Sequence, residues 1–206
     1  MRISFTVSTA VICLTYCLRA LSGEIQVTVN DTSGKPVENA VVYAESPTTK
    51  TASSSTGTAN IAQKNKKFMP LVSVVQTGSN VSFPNQDSVR HHVYSFSPAK
   101  TFELKLYSGV PTAPIAFEKP GVVVLGCNIH DTMVAFVNIV DTPYFGKTDA
   151  AGKLTLKDIP DGQYTLKTWH YALIKENVVT EQAINIKGTE QATVTVHINP
   201  EAIINK

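Results

Sequence analysis

Apolar residues alternate with polar ones along most of this 206-residue chain, and that two-residue period restricts the fold more than any other feature. The runs are Ile25, Val27, Val29; Val72, Val74; Phe102, Leu104, Leu106; Met133, Ala135, Val137, Ile139; Tyr164, Leu166; and Val194, Val196, Ile198. A strand turns successive side chains to opposite faces, so each run buries one face and wets the other. Ser33-Gly34, Thr77-Gly78, Lys119-Pro120-Gly121, Ala151-Gly152 and Pro160-Asp161-Gly162 punctuate the runs as turns. Helix signals are scarce. The chain reads as all-β, with β-sandwiches as the expected architecture.

Two breaks divide it. The small, polar run Ser46 to Gly57, "SPTTKTASSSTG", has no apolar period and reads as a linker or long loop. A strand pattern ends at Asp141, Thr142 and Pro143. Between them lies a segment of about residues 53–141, flanked by 23–52 and 142–206.

At the start, Met1 and Arg2, the apolar run Ile3 to Leu18, and Ala20, Leu21 and Ser22 have the three parts of a secretory signal peptide, residues 1–22, with cleavage expected after Ser22. Ser8, Thr9 and Thr15 interrupt the run, which makes a permanent membrane anchor the weaker alternative. Tyr16 puts a bulky side chain before Cys17, where a lipid-anchor signal wants a small one. Removal of this segment takes Arg2 and Arg19 and no acid, so 18 basic against 16 acidic residues becomes an even balance. A neutral chain lacks the basic footprint of a nucleic-acid or anionic-membrane binder, so neither is an expected partner. A monomer without stable membrane insertion is expected.

Cleavage would also remove Cys13 and Cys17, leaving Cys127 as the one thiol and no intrachain disulfide. An unpaired thiol in an oxidising compartment is buried, paired between chains or held as a metal thiolate. Its surroundings, "GCNIHDTMVAF" at residues 126–136, place Cys127, His130 and Met133 at three-residue intervals. Thiolate, imidazole and thioether are soft or borderline donors, and one cysteine, two histidines and a weak methionine form the ligand set of a blue-copper site. A second imidazole is available upstream in "VSFPNQDSVRHHVYSF", residues 81–96, from His91 or His92. Three other readings stay open: a zinc site, which rarely accepts a thioether; a nucleophilic Cys127 with His130 as base, which leaves Met133 without a role; and plain burial in the core.

On those residues, the chain from about 57 to 141 resembles the cupredoxins, and its cysteine–histidine–methionine spacing is similar to that of amicyanin. The longer strings "FPNQDSVRHHVYSFSPAKTFELKLY", "PGVVVLGCNIHDTM" and "DTPYFGKTD" resemble bacterial exported proteins of the methylamine-utilization or plastocyanin-like type. This resemblance implies a Greek-key sandwich holding one type 1 copper ion on His91, Cys127, His130 and Met133. Counting from Asn85 matches the ligand to His91, with His92 as the alternative. His92 stands where the resemblance expects an asparagine that ties the ligand loops together, so His92 and Asn85 are expected in the surrounding shell. His130 is implied as the electron port, with Pro111, Pro114 and Ile115 as candidates for the docking surface. The implied role is a periplasmic single-electron carrier, not an enzyme, between redox proteins such as a c-type cytochrome or a periplasmic dehydrogenase. The alternatives are an exported binding or structural protein with an accessory copper site, or a copper delivery or storage protein.

The flanks carry their own resemblance. "IQVTVNDTSGKPVENAVVYAE" at 25–45, with "KTDAAGKLTLKDIPDGQYTLKTWH" at 147–170 and "QATVTVHI" at 191–198, resembles a prealbumin-like (carboxypeptidase regulatory-like) sandwich. The middle segment would then be inserted between its second and third strands. Trp169 and His170 are expected to be partly buried there, His197 to face solvent, and Met69 to be a packing residue.

Overall fold

The computed structural model describes residues 22–47, 57–111, 113–173 and 179–202, and they are all-β apart from one short 3-10 turn. The signal-peptide reading, with Cys13 and Cys17, and most of the "SPTTKTASSSTG" run lie outside the described residues. Among the described residues no helix is long and apolar enough to cross a membrane.

The strands in chain order are β1 (Ser22–Asp31), β2 (Val41–Glu45), β3 (Thr58–Asn60), β4 (Ala62–Lys64), β5 (Lys67–Met69), β6 (Val72–Gln76), β7 (Ser79–Ser82), β8 (His91–Ser97) and β9 (Lys100–Tyr107). They continue as β10 (Ile115–Phe117), β11 (Gly121–Cys127), β12 (Val134–Val140), β13 (Phe145–Lys147), β14 (Lys153–Pro160), β15 (Gly162–Trp169), β16 (Thr180–Ile186) and β17 (Thr189–Val196).

The middle of the chain makes one sandwich. Its five-stranded sheet runs β6-β12-β11-β8-β9 and faces the three-stranded sheet β10-β7-β3. Val93, Val123, Leu125, Ala135, Val137 and Ile139 point inward from the first sheet and meet Val81 and Phe117 of the second. The alternation in β12 follows directly from the apolar pattern, since Ala135, Val137 and Ile139 are all buried. In β9 the alternation breaks. A register shift opposite His91 and Val93 puts Tyr107, not Leu106, opposite His91, and leaves Leu106 half exposed. One extra residue in a strand turns everything beyond it to the other face.

The two ends of the chain make a second sandwich. β1 pairs with β14 on one side and, in parallel, with β17 on the other, while β13-β2-β15-β16 forms the opposing sheet. Ile25, Val27 and Val29 pack between the sheets against Leu166, Ile186, Val194 and Val196. Trp169 and His170 are more deeply buried than expected, at 4% and 3% exposure. His197 is exposed. Met69 is a correction: it closes β5 with 51% of its surface exposed, because Phe68 alone takes the inward position there.

The sandwiches meet across an apolar seam. Val41, Tyr43 and Trp169 of the outer unit join Val72 and Val140 of the inner one. The Phe136 ring stacks on Tyr171 at 5.1 Å with 16° between planes, and lies 6.1 Å from Trp169. Lys147 donates from its ammonium group to the Val72 carbonyl across the same seam.

Candidate metal centre

Three loops converge at one end of the inner sandwich. Cys127 is the last residue of β11, and the chain then turns through Asn128–Thr132, closed by the Met133 N–H donating to the His130 carbonyl at 3.0 Å. His91 is the first residue of β8, which pairs with β11 through Val93 opposite Cys127. Strand pairing therefore brings residues 36 positions apart side by side. The ligand-type atoms of His91, Cys127 and His130 all lie within 4.8 Å of one another. His91 Nδ1 is 3.7 Å from Cys127 Sγ, and the His91 and His130 rings are 5.1 Å apart.

Burial sharpens the arrangement. His91 is fully buried, Cys127 is 3% exposed and Met133 is 2% exposed in the same core cluster as Cys127. Among the described residues, His130 Nδ1 is a buried polar atom with no hydrogen-bond partner. A buried imidazole nitrogen left without a partner carries a desolvation cost, which a bound cation would remove. The donor set of two imidazoles, a thiol and a nearby thioether fits a soft or borderline metal. It fits structural zinc less well, since such sites normally use more thiolates.

Of the two adjacent histidines, the structure brings only His91 into the cluster. His92 points the other way on β8. Its Nε2 is 2.8 Å from Glu103 Oε1, in a direction that does not meet hydrogen-bond geometry. His92 nevertheless touches the cysteine loop: its carbonyl accepts from the Asn128 N–H at 3.3 Å, and its Nδ1 is 3.5 Å from Asn128 Nδ2.

Asn85 braces the histidine loop from below. Its Nδ2 donates to the carbonyls of Val89 and Tyr107 at 2.8 and 3.0 Å, and its backbone bonds to Gly109. Asp87 is the residue that the sequence reading missed: its Oδ2 lies 2.9 Å from His91 Nε2. Burial works against its charge, but the Lys66 N–H, the His91 ring and the Asn65 N–H outweigh that and hold the carboxyl below the usual range. A carboxylate four residues before a histidine could have been a signal, but in a polar loop it looks like a solvated charge.

Around the site, Ile129 beside His130, Val89 before β8 and Val110 beside Gly109 are exposed apolar side chains on loops at the same end of the sandwich. Pro114 is exposed, whereas Pro111 and Ile115 are half-buried. A cleft of 440 Å³ adjoins the site, lined by Tyr94, Phe96, Val124, Asp131 and by Cys127 and Met133 themselves. Its floor is tight. A Cβ on Gly126 would lie 2.6 Å from Tyr94 Cζ and 2.7 Å from its hydroxyl oxygen. Gly126→Ala is expected to swing the Tyr94 ring into the cleft and destabilise the protein by about 1 kcal/mol, read by chemical denaturation. An unchanged midpoint would mean that Tyr94 does not sit on this backbone.

No model of a known family matches the chain, and no curated protein matches it. Among solved structures it is similar to a copper-containing nitrite reductase from Thermus scotoductus SA-01, at 23% identity over 39% of this chain and 22% of that one, with a TM-score of 0.37. It is also similar to a purple cupredoxin from Nitrosopumilus maritimus, at 25% identity over 39% of this chain and 98% of that one, with a TM-score of 0.32. A reduced Cu(I) form of an amicyanin mutant aligns at 18% identity over 47% of this chain and 98% of that one, with a TM-score of 0.36. The chain thus spans 22% of the nitrite reductase's length.

Proposed function

We propose that this protein is an exported, periplasmic carrier of single electrons, with one type 1 copper ion held by His91, Cys127, His130 and Met133. The observation that carries this reading is the convergence of one ligand-type atom each from His91, Cys127 and His130 within 4.8 Å, beside a buried His130 Nδ1 that has no hydrogen-bond partner. Copper, when bound, supplies a one-electron couple between its Cu(I) and Cu(II) states.

The chain's own residues do the rest. His91 enters from β8 and Cys127 from β11, two strands paired in one sheet, so their separation is set by backbone hydrogen bonds. A donor set fixed in that way changes little when charge is added or removed. His91 and Cys127 are buried, whereas His130 is only half-buried and so the histidine of the cluster nearest to solvent. That makes His130 the port through which a partner approaches. Ile129, Val89 and Val110 supply an apolar surface around it, of the small kind that transient redox encounters use. The partners proposed are a c-type cytochrome or a periplasmic dehydrogenase. The outer unit is taken as a prealbumin-like sandwich split by insertion of the copper-binding one, and the protein as a monomer. A donor set this enclosed suits a resident metal better than delivery, which requires release.

The test is direct. Full-length protein given one equivalent of Cu(II) is expected to develop an intense visible band that ascorbate bleaches and ferricyanide restores. A band that is absent, or that cannot be cycled, removes the carrier reading.

A further inference from the structure

We propose that Asp87, held by the turn of the β4–β5 hairpin, selects the ring nitrogen that His91 turns toward the site and lowers the reduction potential of copper bound there. The second half rests on the copper reading above; the first does not. His91 has two nitrogens in different company, with Nε2 2.9 Å from Asp87 Oδ2 and Nδ1 3.7 Å from Cys127 Sγ. A carboxylate only accepts hydrogen bonds, so Nε2 carries the hydrogen and the Nδ1 lone pair is left facing the thiol.

The carboxylate is itself held in place. The Asn65 N–H donates to Oδ1 at 2.6 Å and the Lys66 N–H to Oδ2 at 2.9 Å. Both donors sit in the left-handed region, at φ of 54° and 55°, where a lysine is uncommon. Successive N–H groups in such a turn form a small concavity that holds an anion. The unusual backbone thus coincides with a function, the grip on Asp87.

The hairpin is tied to the histidine loop at a second level. The Gln63 N–H donates to the Pro84 carbonyl at 2.9 Å, and the Gln86 N–H donates to the Gln63 carbonyl at 2.8 Å. Gln63 is fully buried, and its Oε1 lies 2.6 Å from the Tyr107 hydroxyl. Backbone hydrogen bonds thus tie the hairpin to the loop that leads into His91.

A negative charge on the far side of a ligating imidazole raises the basicity of the ring and favours the more highly charged metal state. Its removal is expected to shift the preference for Cu(II) over Cu(I) about tenfold toward Cu(I). For a one-electron couple that is a rise of about 60 mV.

The experiment has two arms. In metal-free wild-type protein, nitrogen NMR of the histidine rings is expected to show His91 with its hydrogen on Nε2. In copper-loaded protein, Asp87→Asn is expected to keep the visible band and raise the midpoint potential by about 60 mV. Asp158→Asn removes a carboxylate from the outer sandwich and should leave the potential where it was. A wild-type His91 protonated on Nδ1, or an Asp87→Asn potential equal to wild type, overturns the proposal. If Asp87→Asn does not fold, the tautomer decides alone. If wild type takes up copper without a visible band, the copper reading and the potential claim fall together, and the tautomer still decides whether Asp87 orients His91.

Discussion

Cys127→Ser protein given Cu(II) is expected to show none of the visible absorption of wild type and to bind the ion much more weakly. The band arises from charge transfer between a thiolate and the metal, and Cys127 is the thiol of the cluster. A hydroxyl is a poor, hard donor at neutral pH, so little replaces what is lost. The drop in affinity should exceed the 10- to 100-fold typical of residues that only support ligands. His91→Ala and His92→Ala then separate the adjacent histidines. Loss of fully buried His91 should abolish the band, whereas His92→Ala removes contacts to Glu103, Asn128 and the Tyr94 ring and should keep it. A normal band in Cys127→Ser would falsify thiolate ligation, and a normal band in His91→Ala would exchange the roles of the two histidines.

The outer sandwich is expected to make the protein acid-sensitive through His170. Burial pushes this imidazole down to about 4, partly opposed by its Nε2–H donating to the Glu38 carbonyl at 3.2 Å. On the other side, Nδ1 accepts from the Ala172 N–H at 3.2 Å, so a second ring hydrogen would meet a donor head-on. The folded chain therefore refuses a proton that the unfolded chain accepts below about pH 6.5. The sign follows: the contribution is complete above pH 6.5 and is lost as the pH falls toward 4, by an amount on the order of 3 kcal/mol. Denaturant titrations between pH 7.5 and about 4 should show wild type losing stability faster than His170→Gln, whose neutral amide does not titrate there. Parallel pH profiles for the two proteins would show that His170 titrates normally.

Much of the all-β layout was legible because one physical rule wrote it. The apolar positions Met133, Ala135, Val137 and Ile139 are all buried as the period predicts, but the alternate face is half-buried or buried too, at Phe136 and Asn138, because the second sandwich packs against it. Leu106 fails that reading because a register shift in β9 depends on the neighbouring strand, which a local pattern cannot show. The three-residue strands of the β4–β5 hairpin are too short to carry a period at all. The metal-type side chains were legible as chemistry, since sulfur and imidazole at three-residue spacing are rare. What holds them was not. Asp87 acts through a turn some 20 positions upstream, and the stacking of Phe136 on Tyr171 joins residues with three strands, β13 to β15, between them. Such partners become neighbours only after the sheets have formed.

The parallel pairing of β1 with β17 bears on how the chain assembles. β1 is among the first described residues to be synthesised, and its partner along Glu24–Asp31 is the run Thr189–Val196, close to the last. The inner unit is contiguous from β3 to β12 and can close on itself while the remainder is still arriving. The outer unit cannot. Until β17 docks, one side of β1 exposes unpaired N–H and C=O groups that invite pairing with other chains. A chain cut short before residue 189 would keep every donor atom of the metal cluster yet leave one edge of β1 without its partner, open to pairing with other chains.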